Sequence, residues 1–147
     1  MRRASLALAS LVALAVLAPA NAREEIPAEG RYAPFSGIVD TCASPGILSN
    51  IQWRFSATER RDWNSTADIV GFERVKETGM RQHGIDLIPR RTCEAVAVMG
   101  DKRRLKLRYA IIEAYGLAGY GNNVTFCLAG YDRNLTNGGD CSRLPGR

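Results

Sequence analysis

Leu105-Lys106-Leu107-Arg108-Tyr109-Ala110-Ile111 alternates apolar and polar residues more cleanly than any other stretch of the chain. A period of two marks a strand with one buried and one wet face, and it fixes which side chains share a face. Thr92 to Met99 precedes it as a second strand, across the turn-forming Gly100-Asp101-Lys102. If those three residues form the loop, Met99 faces Arg103, Ala97 faces Leu105, Ala95 faces Leu107 and Cys93 faces Tyr109. One face then carries Cys93, Ala95, Ala97 and Met99 beside Leu105, Leu107, Tyr109 and Ile111; the other carries Glu94, Val96 and Val98 beside Arg104, Lys106 and Arg108. A two-residue loop would slip the register by one and set Glu94 against Leu107 on the buried face, so the three-residue loop is expected. Small alanines beside large leucines leave a trough in which a helix can lie close.

Such a helix is signalled upstream. Ser44-Pro45 is a start with a mechanism, the serine hydroxyl capping a free N–H and the proline needing none. Ile47, Leu48, Ile51 and Phe55 then fall on one face, with Gln52, Arg54 and Glu59 outside it, predicting a helix over 45–60. Trp53 lies off the stripe, where it would cover an edge of the sheet, and 62–65 is read as a break. Ile69 to Glu77 reads as the first strand, with Gly71 as a bulge, and Val124 to Tyr131 as the last. Between them, Gly79 to Pro89 is a loop containing His83 and Gly84. Gly116 to Asn123 is a glycine-rich connection that lacks the Lys-Ser/Thr of a phosphate-binding loop and leads into no helix, so it is read as a flexible hairpin loop. No internal repeat is visible.

Three segments organise the whole. Residues 1–22 read as a signal peptide: basic Arg2 and Arg3, an apolar run from Leu6 to Leu17, and a small-residue cleavage site at Ala20-Asn21-Ala22. The alternative, a membrane anchor, is disfavoured because a dozen apolar residues cannot span a hydrocarbon core of about 30 Å. Residues 23–41 form an extended polar lead-in, with Gly37-Ile38-Val39 offering a short edge contact, and 42–147 a single α+β domain. Without Arg2 and Arg3, 18 basic and 15 acidic side chains leave a net charge of +3, too mild to argue for nucleic acid. The expected address is secreted or periplasmic, with no transmembrane segment in the mature chain.

Cysteine chemistry agrees with export. Cys42, Cys93, Cys127 and Cys141 form an even set with none of the short spacings of a zinc or redox motif, and read as two disulfides with three possible connectivities. Cys42 stands just before the helix and Cys93 on the face the helix covers, so that pair would pin the helix start onto the sheet. Cys127 and Cys141 enclose a loop of 13 residues that Gly138-Gly139 can turn back. A Cys93–Cys127 bridge would have to cross the strand between them, and Cα atoms more than about 7 Å apart cannot be bridged. Asn64, Asn123 and Asn134 match the glycosylation acceptor pattern, which matters only in a eukaryotic secretory pathway, and the Ala- and Arg-rich leader reads as bacterial.

Ile69 to Val75, the step Pro89-Arg90-Arg91-Thr92-Cys93, Tyr109 to Glu113, and the late Cys127-Leu128-Ala129-Gly130-Tyr131-Asp132-Arg133-Asn134 together resemble a set of small exported proteins from alphaproteobacteria. Similar proteins often carry Trp-Glu just before the last-strand cysteine, where this chain has Thr125-Phe126. The resemblance covers most of the mature chain and implies a periplasmic address and a fold, but no chemistry. The element order also resembles the cystatin-like architecture, one N-terminal helix packed across a four-stranded antiparallel sheet. That analogy is at fold level, and many unrelated functions use such a fold.

The chemistry-bearing residues are few. His83 beside Asp86 could serve as base and orienter, but no nucleophile accompanies them, and a loop histidine is ordinarily a solvated one. Glu73, Glu77, Glu94 and Glu113 could supply an acid/base pair only across a cleft, and are read instead as cross-strand partners of the arginines. Arg104, Lys106 and Arg108, with Arg90 and Arg91 on the preceding loop, could bind an anionic surface, although the same pattern suits a solvated strand face. Asp132 and Arg133 are expected to pair with each other. No metal or cofactor is implied. The sequence therefore points first to a non-catalytic secreted or periplasmic binding or protein-interaction domain. An envelope-associated structural protein with a basic face, and a small hydrolase or isomerase with a pocket under the helix, remain as alternatives. The partner would be a protein or an anionic envelope component.

Overall fold

The computed structural model describes residues 35–81, 88–114 and 121–144, all within the C-terminal of the two units into which the chain divides, Met1–Arg31 and Tyr32–Arg147. His83, Gly84 and Asp86, and residues 116–120 of the glycine-rich connection, lie outside the described residues. One helix, α1 (Pro45–Trp63), precedes four strands: β1 (Ile69–Arg81), β2 (Arg90–Met99), β3 (Arg104–Ile112) and β4 (Asn123–Leu128). The strands form an antiparallel sheet in the order β1-β2-β3-β4, so each pairs with its neighbour in sequence.

The central hairpin has the expected register. Cys93 pairs with Tyr109, Ala95 with Leu107 and Ala97 with Leu105, and Met99 N–H donates to Arg103 O at 2.9 Å. Cys93, Ala95, Ala97 and Met99, with Leu107, Tyr109 and Ile111, are all buried beneath α1. Ile47, Ile51 and Phe55 meet them from the helix, and Leu48 is partly buried beside them. The wet face carries the charges and seals itself with ion pairs.

Each face of the sheet has one disulfide. Cys42–Cys93 ties the entry of α1 to the helix face, with Cα atoms 5.8 Å apart. Tyr109, opposite Cys93 on the next strand, donates its hydroxyl to Cys42 O at 2.7 Å. The helix start is thus held by two strands. Cys127 pairs in register with Arg108, so it lies on the opposite face, where it bridges Cys141 (Cα–Cα 5.6 Å). The chain after β4 therefore wraps from the helix side, at Tyr131, round to the far side at Cys141.

Several local expectations are corrected. Ser44 precedes the helix but its hydroxyl makes no capping bond; Cys42–Cys93 and the Tyr109 bond already anchor that end. The helix continues to Trp63 and stops where Asn64 adopts a left-handed φ of 47°, a conformation asparagine tolerates better than most residues. Trp53 covers no sheet edge: it is 68% exposed on the helix crest. Arg90 and Arg91 lie in β2, not on a loop. β1 extends to Arg81 through three irregularities, one at Gly71, and Arg74 takes a φ of 52°. Irregular edge strands resist pairing with stray chains. β4 is shorter than read, since Tyr131 N–H turns back to Leu128 O at 2.9 Å.

The end of the lead-in belongs to the fold without forming a strand. Val39 is buried in the core, Ser36 and Gly37 donate their amides to Glu113 at 2.6 and 2.9 Å, and Arg91 donates to Val39 O and Asp40 O.

Candidate functional site

Two places gather chemistry: the charged face of the sheet, and a groove between α1 and β4. On the charged face, Arg104, Lys106 and Arg108 stand in a row as the alternation requires, yet each has a carboxylate partner. Arg104 meets Glu73 at 3.2 Å, and Glu94 takes Lys76 at 3.3 Å, Lys106 at 3.6 Å and Arg108 at 2.9 Å. Burial alone would raise the Glu94 carboxyl, but the bond from Lys76 and the charges of Lys106 and Arg108 outweigh it and hold it below the usual glutamate range. Arg108 also donates to Cys141 O at 3.3 Å, so its charge is bound into the tail rather than offered to solvent. Arg91 is not part of this face: it pairs with Glu77 and holds the 35–40 segment. Arg90 is half-buried, and its Nε has no hydrogen-bond partner among the described residues.

The glutamates thus act as cross-strand partners. Glu113 is the exception, because it binds backbone instead. Burial pushes its carboxyl up, and the Ser36 hydroxyl and the Ser36 and Gly37 amides pull it further down.

The groove was not legible in the sequence. Its helix wall is Arg54, Phe55, Thr58, Glu59 and Trp63; β4 and the tail close the other side, leaving a volume of about 280 Å³. Glu59 is only 2% exposed, against the expectation that it faces outward. It falls four residues after Phe55, on the same row as Ile47 and Ile51, and so is carried onto the buried face. A lone carboxylate there would be costly. Arg133 neutralises it at 2.7 Å, reaching from beyond β4, so Arg133 does not pair with Asp132 as expected. Asp132 instead accepts the amides of Thr136 and Asn137 and shapes the turn. Arg133 also lies over the rings of Trp63 (5.0 Å) and Tyr131 (5.5 Å), and Tyr131 meets Phe55 edge-on at 5.1 Å. An aromatic and guanidinium stack therefore walls one end.

Arg54 walls the other end. Its guanidinium donates to Val124 O and lies 5.5 Å over the Phe126 ring, and no carboxylate partners it among the described residues. The β4 backbone beside it is a sheet edge that no strand covers among the described residues. Ala129 N–H donates to Lys106 O at 2.9 Å, and Leu107 pairs with Leu128, which fixes the phase of the ladder. Thr125, Cys127 and Ala129 then turn their backbone groups towards β3, while Val124, Phe126 and Leu128 turn theirs outward. Val124 N–H bonds to Asn123 Oδ1 at 2.7 Å, and Leu128 O takes Tyr131 N–H. Phe126 N–H, Phe126 C=O and Leu128 N–H have no partner among the described residues.

Compared with protein families, curated proteins and solved structures, the chain matches none.

Proposed function

We propose that the chain works outside the cytoplasm as a non-catalytic binding domain, and that it engages its partner in the groove between α1 and β4. The observation that carries this is the groove itself: aromatic rings of Phe55, Trp63, Phe126 and Tyr131 beside an Arg54 guanidinium that has no carboxylate partner among the described residues. Apolar rings and a few convergent polar groups are the usual makings of a recognition site. The buried carboxylate in its wall, Glu59, is already paired with Arg133. Export is supported by the leader-like residues 1–22 and by four cysteines that are all bridged. The resemblance to small exported alphaproteobacterial proteins fits the same address. Among the described residues no helix is long and apolar enough to cross a membrane.

A second reading rests on the charged face, where Lys76, Arg104, Lys106 and Arg108 outnumber Glu73 and Glu94. It would bind an anionic envelope component, weakly and with strong salt dependence. Site-specific photo-crosslinking in the source cells separates the two, with benzoylphenylalanine placed at Thr58 on the groove wall or at Lys106 on the far face. The groove reading predicts adducts from position 58 and none from 106. Adducts from 106 alone would overturn it in favour of the basic face.

A further inference from the structure

We infer that the groove receives the C-terminal end of an extended peptide, added as an antiparallel strand along β4. The inference rests on the groove being the binding site and goes further by naming the class of ligand. The open backbone groups come first. Phe126 presents both N–H and C=O outward, and Leu128 adds an N–H, over a length of about 7 Å at about 3.4 Å per residue. That is the bonding pattern of a strand awaiting a neighbour, and an extended peptide satisfies it with main-chain bonds alone.

Arg54 settles which end of the peptide enters. Its guanidinium crosses the edge to Val124 O, occupying the next outward acceptor, so an added strand must stop there. β4 runs from Val124 towards Leu128. A parallel peptide ending at Val124 would bring its N-terminal ammonium against the guanidinium, whereas an antiparallel one brings its α-carboxylate. Only the second is attractive, and a guanidinium suits a carboxylate in charge and geometry. The peptide residue facing Phe126 would place its side chain on the helix side of β4, against Phe55, Trp63 and Tyr131. That pocket selects an apolar or aromatic side chain within the last few residues.

The test uses the purified exported chain and an array of random hexapeptides with free C-termini, printed beside the same sequences as C-terminal amides. The expected result is binding to free acids with an apolar residue close to the end, weakened about tenfold or more by amidation. Arg54→Gln should erase the difference between acid and amide, and Thr58→Trp, which fills the groove, should remove binding to both. Amidation is read on the unaltered protein, so the result does not depend on how the variants fold. Equal binding of acids and amides would overturn the carboxylate assignment and leave the groove standing. An array on which no hexapeptide binds, while position 58 still crosslinks in cells, would overturn strand addition altogether. Loss of the position 58 adducts themselves would remove the groove reading beneath it.

Discussion

Tyr109 shows what one residue does when its strand phase places it in the core. It is fully buried, its hydroxyl is bonded to Cys42 O at 2.7 Å, and burial pushes its pKa up to about 12. The sign follows. An unfolded tyrosine loses its proton near pH 10, so between about 10 and 12 the unfolded chain is ionised here and the folded one is not. Stability attached to this phenol is complete below pH 10 and is lost as the pH rises towards 12, by about 2–3 kcal/mol from a shift of that size. Urea melts of the wild type and Tyr109→Phe across pH 9–11.5 check it: the wild type should lose the extra stability and the phenylalanine variant should not. Parallel slopes would show that Tyr109 ionises in the folded state. The position was readable from the alternation around it. Glu59 was not, because its charge argued for the surface while its spacing after Phe55 argued for the core. Only Arg133, 74 residues away, reconciles the two.

At the scale of elements, α1 is held to the sheet by a row of side chains spaced four apart, and Phe55 is the most consequential of them. It fills the space between the sheet and the groove and braces Tyr131 edge-on. Emptying that site should cost about 3–5 kcal/mol. It should also loosen Tyr131, so Phe55→Ala is expected to lower both the melting midpoint and any groove binding. An unchanged midpoint would mean that the helix does not pack as described. The helix, the four strands and both disulfides could be read from periodicity and turn residues, because each depends on local pattern and one hairpin register. The lengths of β1 and β4 could not. β1 is extended through bulges, and β4 is cut short by a turn closed on its own carbonyl. The jobs of the arginines were also hidden. A row on one face reveals exposure, but not that Glu94 lies within reach of three cations.

At the largest scale, the described residues of the C-terminal unit form a sheet with two unlike faces, one sealed by α1 and Cys42–Cys93, the other by ion pairs and Cys127–Cys141. The tail that links β4 to Cys141 is what makes the groove, since Tyr131, Asp132 and Asn137 all line it. The proposed binding site thereby falls at a sheet edge, which no single stretch of sequence can announce. The edge exists only once the phase of β4 against β3 is known, and the glycine-rich connection before β4 carries no register signal. Amide hydrogen exchange of the free chain reads that phase directly. Cys127 N–H, turned towards β3, should be protected, while Phe126 and Leu128 N–H on either side should exchange far faster. Alternating protection along β4 is the predicted result; uniform protection of all three amides would mean that the edge is covered and that no open groove exists.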